Sequence, residues 1–138
     1  MGLIKHAHHG FDIDHPGKDS HALRTAGASP VLITSSIRRA VITERPVPRD
    51  PVLAEELDCF AGADVDLILV EGFKREHFPK IELHRPALRK PLLFPEDRSI
   101  IAVASDAPLP EKPAIPVLDL NQTDEIAQFI LQHFLHRE

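Results

Sequence analysis

Apolar residues in this chain gather in short runs separated by polar turns. Seven runs stand out, at residues 2–4, 31–33, 40–42, 67–70, 81–83, 100–104 and 117–118. Each is too short for a helix and reads as a strand. The run at 67–70, Leu-Ile-Leu-Val, is continuous rather than alternating. That is the pattern of a strand buried on both faces of a parallel sheet. Three stretches carry helical punctuation. Residues 19–26 have Asp19 or Ser20 as N-cap and Gly27 placed to end the helix. A second helix is predicted from Asp50 as N-cap and Pro51 as first helical residue, with Gly62 just past its end. Val52, Leu53, Leu57 and Phe60 are its apolar positions. The third begins near Thr123, where Asp124 and Glu125 suit the positive end of the helix dipole. Ile126, Phe129, Ile130, His133 and Phe134 then recur on one face.

Strands alternating with helices predict an α/β fold with a mostly parallel sheet flanked by helices. A length of 138 residues suits one core, so residues 1–138 are expected to form a single domain. The prolines concentrate at 46–51, 86–95 and 108–116, which are connections too short and too mixed to be domain linkers.

A formal net charge of −5 provides no basic field, which argues against nucleic acid or anionic lipid as partner. No run approaches the roughly 20 apolar residues of a membrane span. Lys5 and His6 interrupt the apolar start, as no signal peptide would, and His6 stands where a myristoylation motif needs Ser or Thr. Cys59 is the lone cysteine, so an internal disulfide and a cysteine-rich metal site are excluded. It reads as a small packing residue of the second helix. A cytoplasmic location is expected.

Open α/β sheets bind ligands at the carboxyl ends of their strands. Three strand ends carry candidate chemistry. Glu71-Gly72-Phe73-Lys74 follows the run at 67–70; a carboxylate there can orient Mg²⁺ or a water beside phosphates, and Gly72 permits close approach. The structural alternative is an ordinary polar turn. Ser105-Asp106 follows the run at 100–104, where a carboxylate can accept hydrogen bonds from guanine N1 and N2. The alternative is an Asx turn leading into Ala107-Pro108. The first strand runs into Lys5, His6, His8 and His9, then Asp12, Asp14, His15 and, a little further on, His21. This cluster suits a Zn²⁺-type metal site, an anion-facing loop that meets phosphate or pterin groups, or a solvated polar loop. Gly17-Lys18-Asp19 is not a Walker A loop, because six residues instead of four separate Gly10 from Gly17 and Asp follows the lysine.

In order along the chain, residues 2–9 (GLIKHAHH), 14–20 (DHPGKDS), 23–28 (LRTAGA), 66–74 (DLILVEGFK), 79–81 (PKI) and 102–106 (AVASD) resemble the molybdopterin-guanine dinucleotide biosynthesis adaptor family, MobB. The resemblance implies a P-loop NTPase-related fold. It implies GTP and Mg²⁺ as cofactors and at most a weak GTPase activity. The implied function is to assist the molybdenum cofactor guanylyltransferase in attaching GMP to molybdopterin. It sets Glu71 at the metal, Ser105 and Asp106 at the guanine, and Lys5, His6, His8, Lys18 and Asp19 in the motif-rich region of the same crevice. The family pattern opens with a first strand, a Walker A loop and a first helix, about 30 residues with no counterpart here. Met1 is therefore expected to stand at an internal position of that pattern. Nucleotide binding should be impaired, and a bare sheet edge should favour a homodimer or other docking. Two other functions stay open: a histidine-cluster metal-binding module, and a non-enzymatic interaction protein that retains only partner binding.

Overall fold

A computed structural model describes residues 1–111 and 113–135. All seven apolar runs are strands: β1 Gly2–Lys5, β2 Val31–Thr34, β3 Arg39–Ile42, β4 Ile68–Glu71, β5 Lys80–His84, β6 Ile100–Ser105 and β7 Val117–Asp119. The helices are α1 Asp19–Thr25, α2 Leu53–Leu57 and α3 Thr123–Phe134, with 3₁₀ turns at Asp58–Phe60 and Pro86–Leu88. The chain divides into two compact units. One comprises Met1–Gly2, Asp64–Ile68 and the residues from Lys74 onward; the other comprises Leu3–Ala63 and Leu69–Phe73.

The first unit is built on a parallel sheet in the order β5-β6-β7. With a hydrogen-bonded neighbour on each side, β6 is the strand buried on both faces: Ala102, Val103 and Ala104 are wholly buried. Helix α3 covers β7 and sets Ile126 and Phe129 against Ala102, Ala104 and Leu118. The periodic face read from sequence is the half-buried face, with His133 stacked on Phe129 at 5.7 Å between ring centroids. Strand β5 reverses the usual polarity. Glu82 and His84 are buried, whereas Leu83 is 68% exposed. The Glu82 carboxylate accepts the amides of Leu93 (2.8 Å) and Phe94 (2.9 Å), which ties the proline-rich connection to the sheet.

In the second unit, β2 and β3 form an antiparallel hairpin with Val31 opposite Ile42 and Thr34 opposite Arg39. Only four residues join them, too few for the crossover a parallel pair needs. Ser35 closes the turn: its amide donates to the Arg38 carbonyl at 2.8 Å and its hydroxyl oxygen accepts the Arg38 amide at 3.1 Å. Helix α1 begins at Asp19, with extended Lys18 as its N-cap. Ser20 does not cap, because its hydroxyl donates to Asp14 Oδ1 at 3.0 Å. Gly27 ends the helix at φ +108°. Helix α2 starts at Leu53, later than Asp50 and Pro51 suggest, since Val52 is still extended. Cys59 lies in the 3₁₀ turn that follows and is exposed, so it is not a packing residue.

Strands β1 and β4 pair with each other. The Gly2 amide donates to the Leu67 carbonyl and the His6 amide to the Glu71 carbonyl, both at 2.8 Å, so the two strands run the same way. The continuous run at 67–70 is half-buried rather than buried on both faces. Among the described residues β4 has β1 as its only strand neighbour, unlike the doubly flanked β6. No helix among the described residues is long and apolar enough to cross a membrane.

Candidate functional site

The carboxyl ends of β5, β6 and β7 lie side by side. The register places His84 beside Ser105 and Ser105 beside Asp119. An open depression of about 330 Å³ sits at the ends of β6 and β7, with Ser105, Asp106, Pro108, Asp119 and Asn121 in its lining. Ser105 is buried, and its hydroxyl donates to the Ala107 carbonyl at 2.6 Å. The turn after β6 is thus held by the serine rather than by an Asx turn of Asp106. Ser105 shapes the strand end, and its proton is committed there. Asp106 keeps its carboxylate available to the depression. Oδ2 accepts a hydrogen bond from Arg85 Nη1 at 2.6 Å, and Oδ1 has no protein partner among the described residues. Arg85 was not singled out from the sequence. Its signal is positional: it follows β5 as Asp106 follows β6.

The other unit holds the remaining candidates. Lys5 ends β1 and Glu71 ends β4, and Lys5 Nζ lies 3.0 Å from Glu71 Oε1 in an exposed ion pair. His6 follows Lys5, with its ring 5.0 Å from Phe73 and 4.8 Å from His8. A Cβ on Gly72 would lie 2.7 Å from His6 Cβ, so the close approach that this glycine permits is to a histidine of its own unit. Lys5, His6, His8 and Glu71 therefore form one cluster. Lys18 and Asp19 lie at the start of α1, where their side chains make no hydrogen bond or ion pair among the described residues. Asp19 serves the first helical turn, where its charge meets the dipole.

The acidic residues of the histidine-rich loop are engaged internally. Asp14 is buried and accepts Ser20 Oγ at 3.0 Å and the His15 amide at 2.9 Å. Asp12 accepts the Asp14 amide at 2.9 Å and pairs with Arg24, which also bonds Glu44 at 2.7 Å. The Asp14 amide, and then Arg24, hold the Asp12 carboxyl below its usual range. The bonds to Glu44 and Asp12 raise Arg24. These contacts pin the loop to α1. Among the described residues no three His, Cys, Asp or Glu side chains are grouped to hold a metal ion.

A family model described as MobB, molybdopterin guanine dinucleotide synthesis protein B, matches residues 1–106. The chain belongs to the MobB family. Its order of motifs from residue 2 to residue 106 falls within that match. The molybdopterin-guanine dinucleotide biosynthesis adapter protein of Escherichia coli is 44% identical over 135 residues, which cover 95% of this chain and 74% of that protein. The protein of the same name from Haemophilus influenzae is 42% identical over 138 residues, covering 99% of this chain and 73% of that one. The crystal structure of a MobB homologue from Bacillus stearothermophilus superimposes with a TM-score of 0.67 at 26% identity, covering 99% of this chain and 78% of that one. A second MobB crystal structure gives 0.69 at 22% identity over 96% of this chain and 79% of that one, which bears on the fold alone. Like these structures, the chain is a mixed α/β arrangement with parallel strands flanked by helices.

Proposed function

We propose that this chain is an adapter of molybdopterin-guanine dinucleotide biosynthesis that binds GTP, with Asp106 reading the guanine. Family membership and the names of the two relatives support the pathway. The observation that carries the nucleotide reading is Asp106 itself: an unsealed carboxylate at the end of a parallel strand, opening on a depression of about 330 Å³. Its oxygens can accept the N1–H and N2–H of guanine. Adenine offers a lone pair at N1, which a carboxylate repels.

Glu71 is suited to Mg²⁺. The ion binds through one or two carboxylates and completes its octahedron with water and phosphate oxygens, so a single exposed carboxylate is an adequate protein share. Lys5, 3.0 Å from Glu71, carries the positive charge that phosphates would meet. His6 and His8 add donors to the same cluster. The partner in this reading is the molybdenum cofactor guanylyltransferase, with molybdopterin as the acceptor of GMP, in the cytoplasm. The β2–β3 hairpin exposes Leu32 and Val41, an apolar surface through which a homodimer could form.

Calorimetric titration of GTP and ATP, with and without Mg²⁺, tests the reading. GTP should bind at least about tenfold tighter than ATP, a difference of about 1.4 kcal/mol. Asp106→Ala should abolish the preference. Equal affinity of the unaltered chain for the two nucleotides would overturn it.

A further inference from the structure

Arg85 has no part in the roles assigned above, yet its guanidinium is hydrogen-bonded to Asp106. The parallel register sets His84 beside Ser105, so the residues that follow each strand, Arg85 and Asp106, emerge next to each other. Nη1 donates to Oδ2 at 2.6 Å. The pair is not sealed: the arginine side chain is 53% exposed and that of the aspartate 23%. Among the described residues the remaining guanidinium N–H groups have no protein partner, and neither has Asp106 Oδ1. Exposed ion pairs of this kind contribute little to stability. Donors and acceptors therefore stand side by side at a strand end, with capacity to spare.

We propose that Arg85 is a second base-reading residue, donating to guanine O6 while Asp106 accepts N1–H and N2–H. The proposal rests on the assignment of guanine to Asp106. Guanine presents in sequence an acceptor at O6, a donor at N1 and a donor at N2. An arginine hydrogen-bonded to an aspartate presents the complement in the same order. Adenine places an amino group against the guanidinium and a lone pair against the carboxylate, two mismatches in place of three matches. The planar fork of five N–H donors lets arginine keep Asp106 on one nitrogen and give another to the base. An ammonium group is a point charge without that geometry. Arg85 is thus a specificity-determining residue, and its bond to Asp106 holds the carboxylate in register for N1 and N2.

The test pairs a change in the protein with a change in the ligand. Binding of GTP and 6-thio-GTP, in which sulfur is a weak acceptor at position 6, is measured for the unaltered chain, Arg85→Ala, Arg85→Lys and Asp106→Ala by displacement of a fluorescent GTP analogue. The unaltered chain should bind the thio compound about tenfold more weakly, the scale of one hydrogen bond to a charged donor. Arg85→Ala should bind GTP about tenfold more weakly and no longer distinguish the two ligands. Arg85→Lys keeps the charge beside Asp106 and should retain less than the full thio penalty. An undiminished penalty in both Arg85 variants overturns the proposal. The failure is confined to Arg85 if Asp106→Ala has at the same time lost the preference for GTP over ATP. If Asp106→Ala keeps that preference, or the unaltered chain does not bind GTP, the assignment of guanine to Asp106 fails, and the role of Arg85 fails with it.

Discussion

Replacing Gly72 by alanine tests the packing between the ends of β1 and β4. Gly72 has φ +99°, a conformation that costs a residue with a Cβ about 1–2 kcal/mol. The added methyl would also lie 2.7 Å from His6 Cβ, where carbon atoms prefer roughly 3.5–4.0 Å. Both atoms belong to stiff positions close to the backbone, so relief requires moving the chain at His6. Overpacking of this kind costs about 1–3 kcal/mol. The total is about 2–5 kcal/mol, a large share of the stability of a small protein. Gly27→Ala separates the two contributions: its φ is +108°, but nothing lies within 4 Å of the added atom. Urea denaturation followed by circular dichroism gives both values, as midpoint shifts at unchanged slope. Gly72→Ala should exceed Gly27→Ala by about 1–3 kcal/mol, with amide shifts concentrated at Lys5, His6 and Glu71. Equal losses in the two variants would refute the contact with His6.

Three further outcomes follow from particular contacts. Glu82→Ala removes the acceptor of two amides and should cost about 1–3 kcal/mol, with faster hydrogen exchange at Leu93 and Phe94 as the local readout. Lys80, and then Ser99, hold the Asp97 carboxyl well below its ordinary 3.8. The folded state therefore binds fewer protons than the unfolded chain in that range. This stabilisation is complete above the ordinary carboxylate value and is lost as pH falls through the depressed one; Asp97→Asn should flatten the loss of urea midpoint between about pH 5 and pH 2. Glu71→Gln breaks only an exposed pair and should change stability by less than about 1 kcal/mol, while abolishing the Mg²⁺ dependence of GTP binding in calorimetry.

Strand positions were legible because seven short apolar runs leave the backbone few other ways to bury them. Helix ends were legible where glycine stops them, as at Gly27, and less so where tertiary contacts intervene. Ser20 reads as a cap from its side chain alone, yet its hydroxyl is taken by Asp14, six residues earlier in the chain. The polarity of β5 was hidden for a similar reason. Alternation gives a strand two faces but does not say which is inward, and here the amides of Leu93 and Phe94 make the face of Glu82 the buried one. The strand-end rule singles out Glu71 and Asp106 as candidates because it needs only the order of apolar runs and carboxylates. It passed over Arg85, whose meaning depends on the β5–β6 register that brings it to Asp106. The histidine-rich loop left three readings open because its spacing cannot show that Asp12 and Asp14 are bound to Arg24, Ser20 and their own backbone.

The most direct measurement is a nucleotide swap at Asp106, with GTP and XTP titrated into the unaltered chain and Asp106→Asn. Xanthine replaces the N2 amino group by a carbonyl, which a carboxylate repels and an asparagine amide can bond. The unaltered chain should favour GTP over XTP and the variant should favour XTP. An unchanged GTP-to-XTP ratio in the variant would contradict the assignment of the base to Asp106.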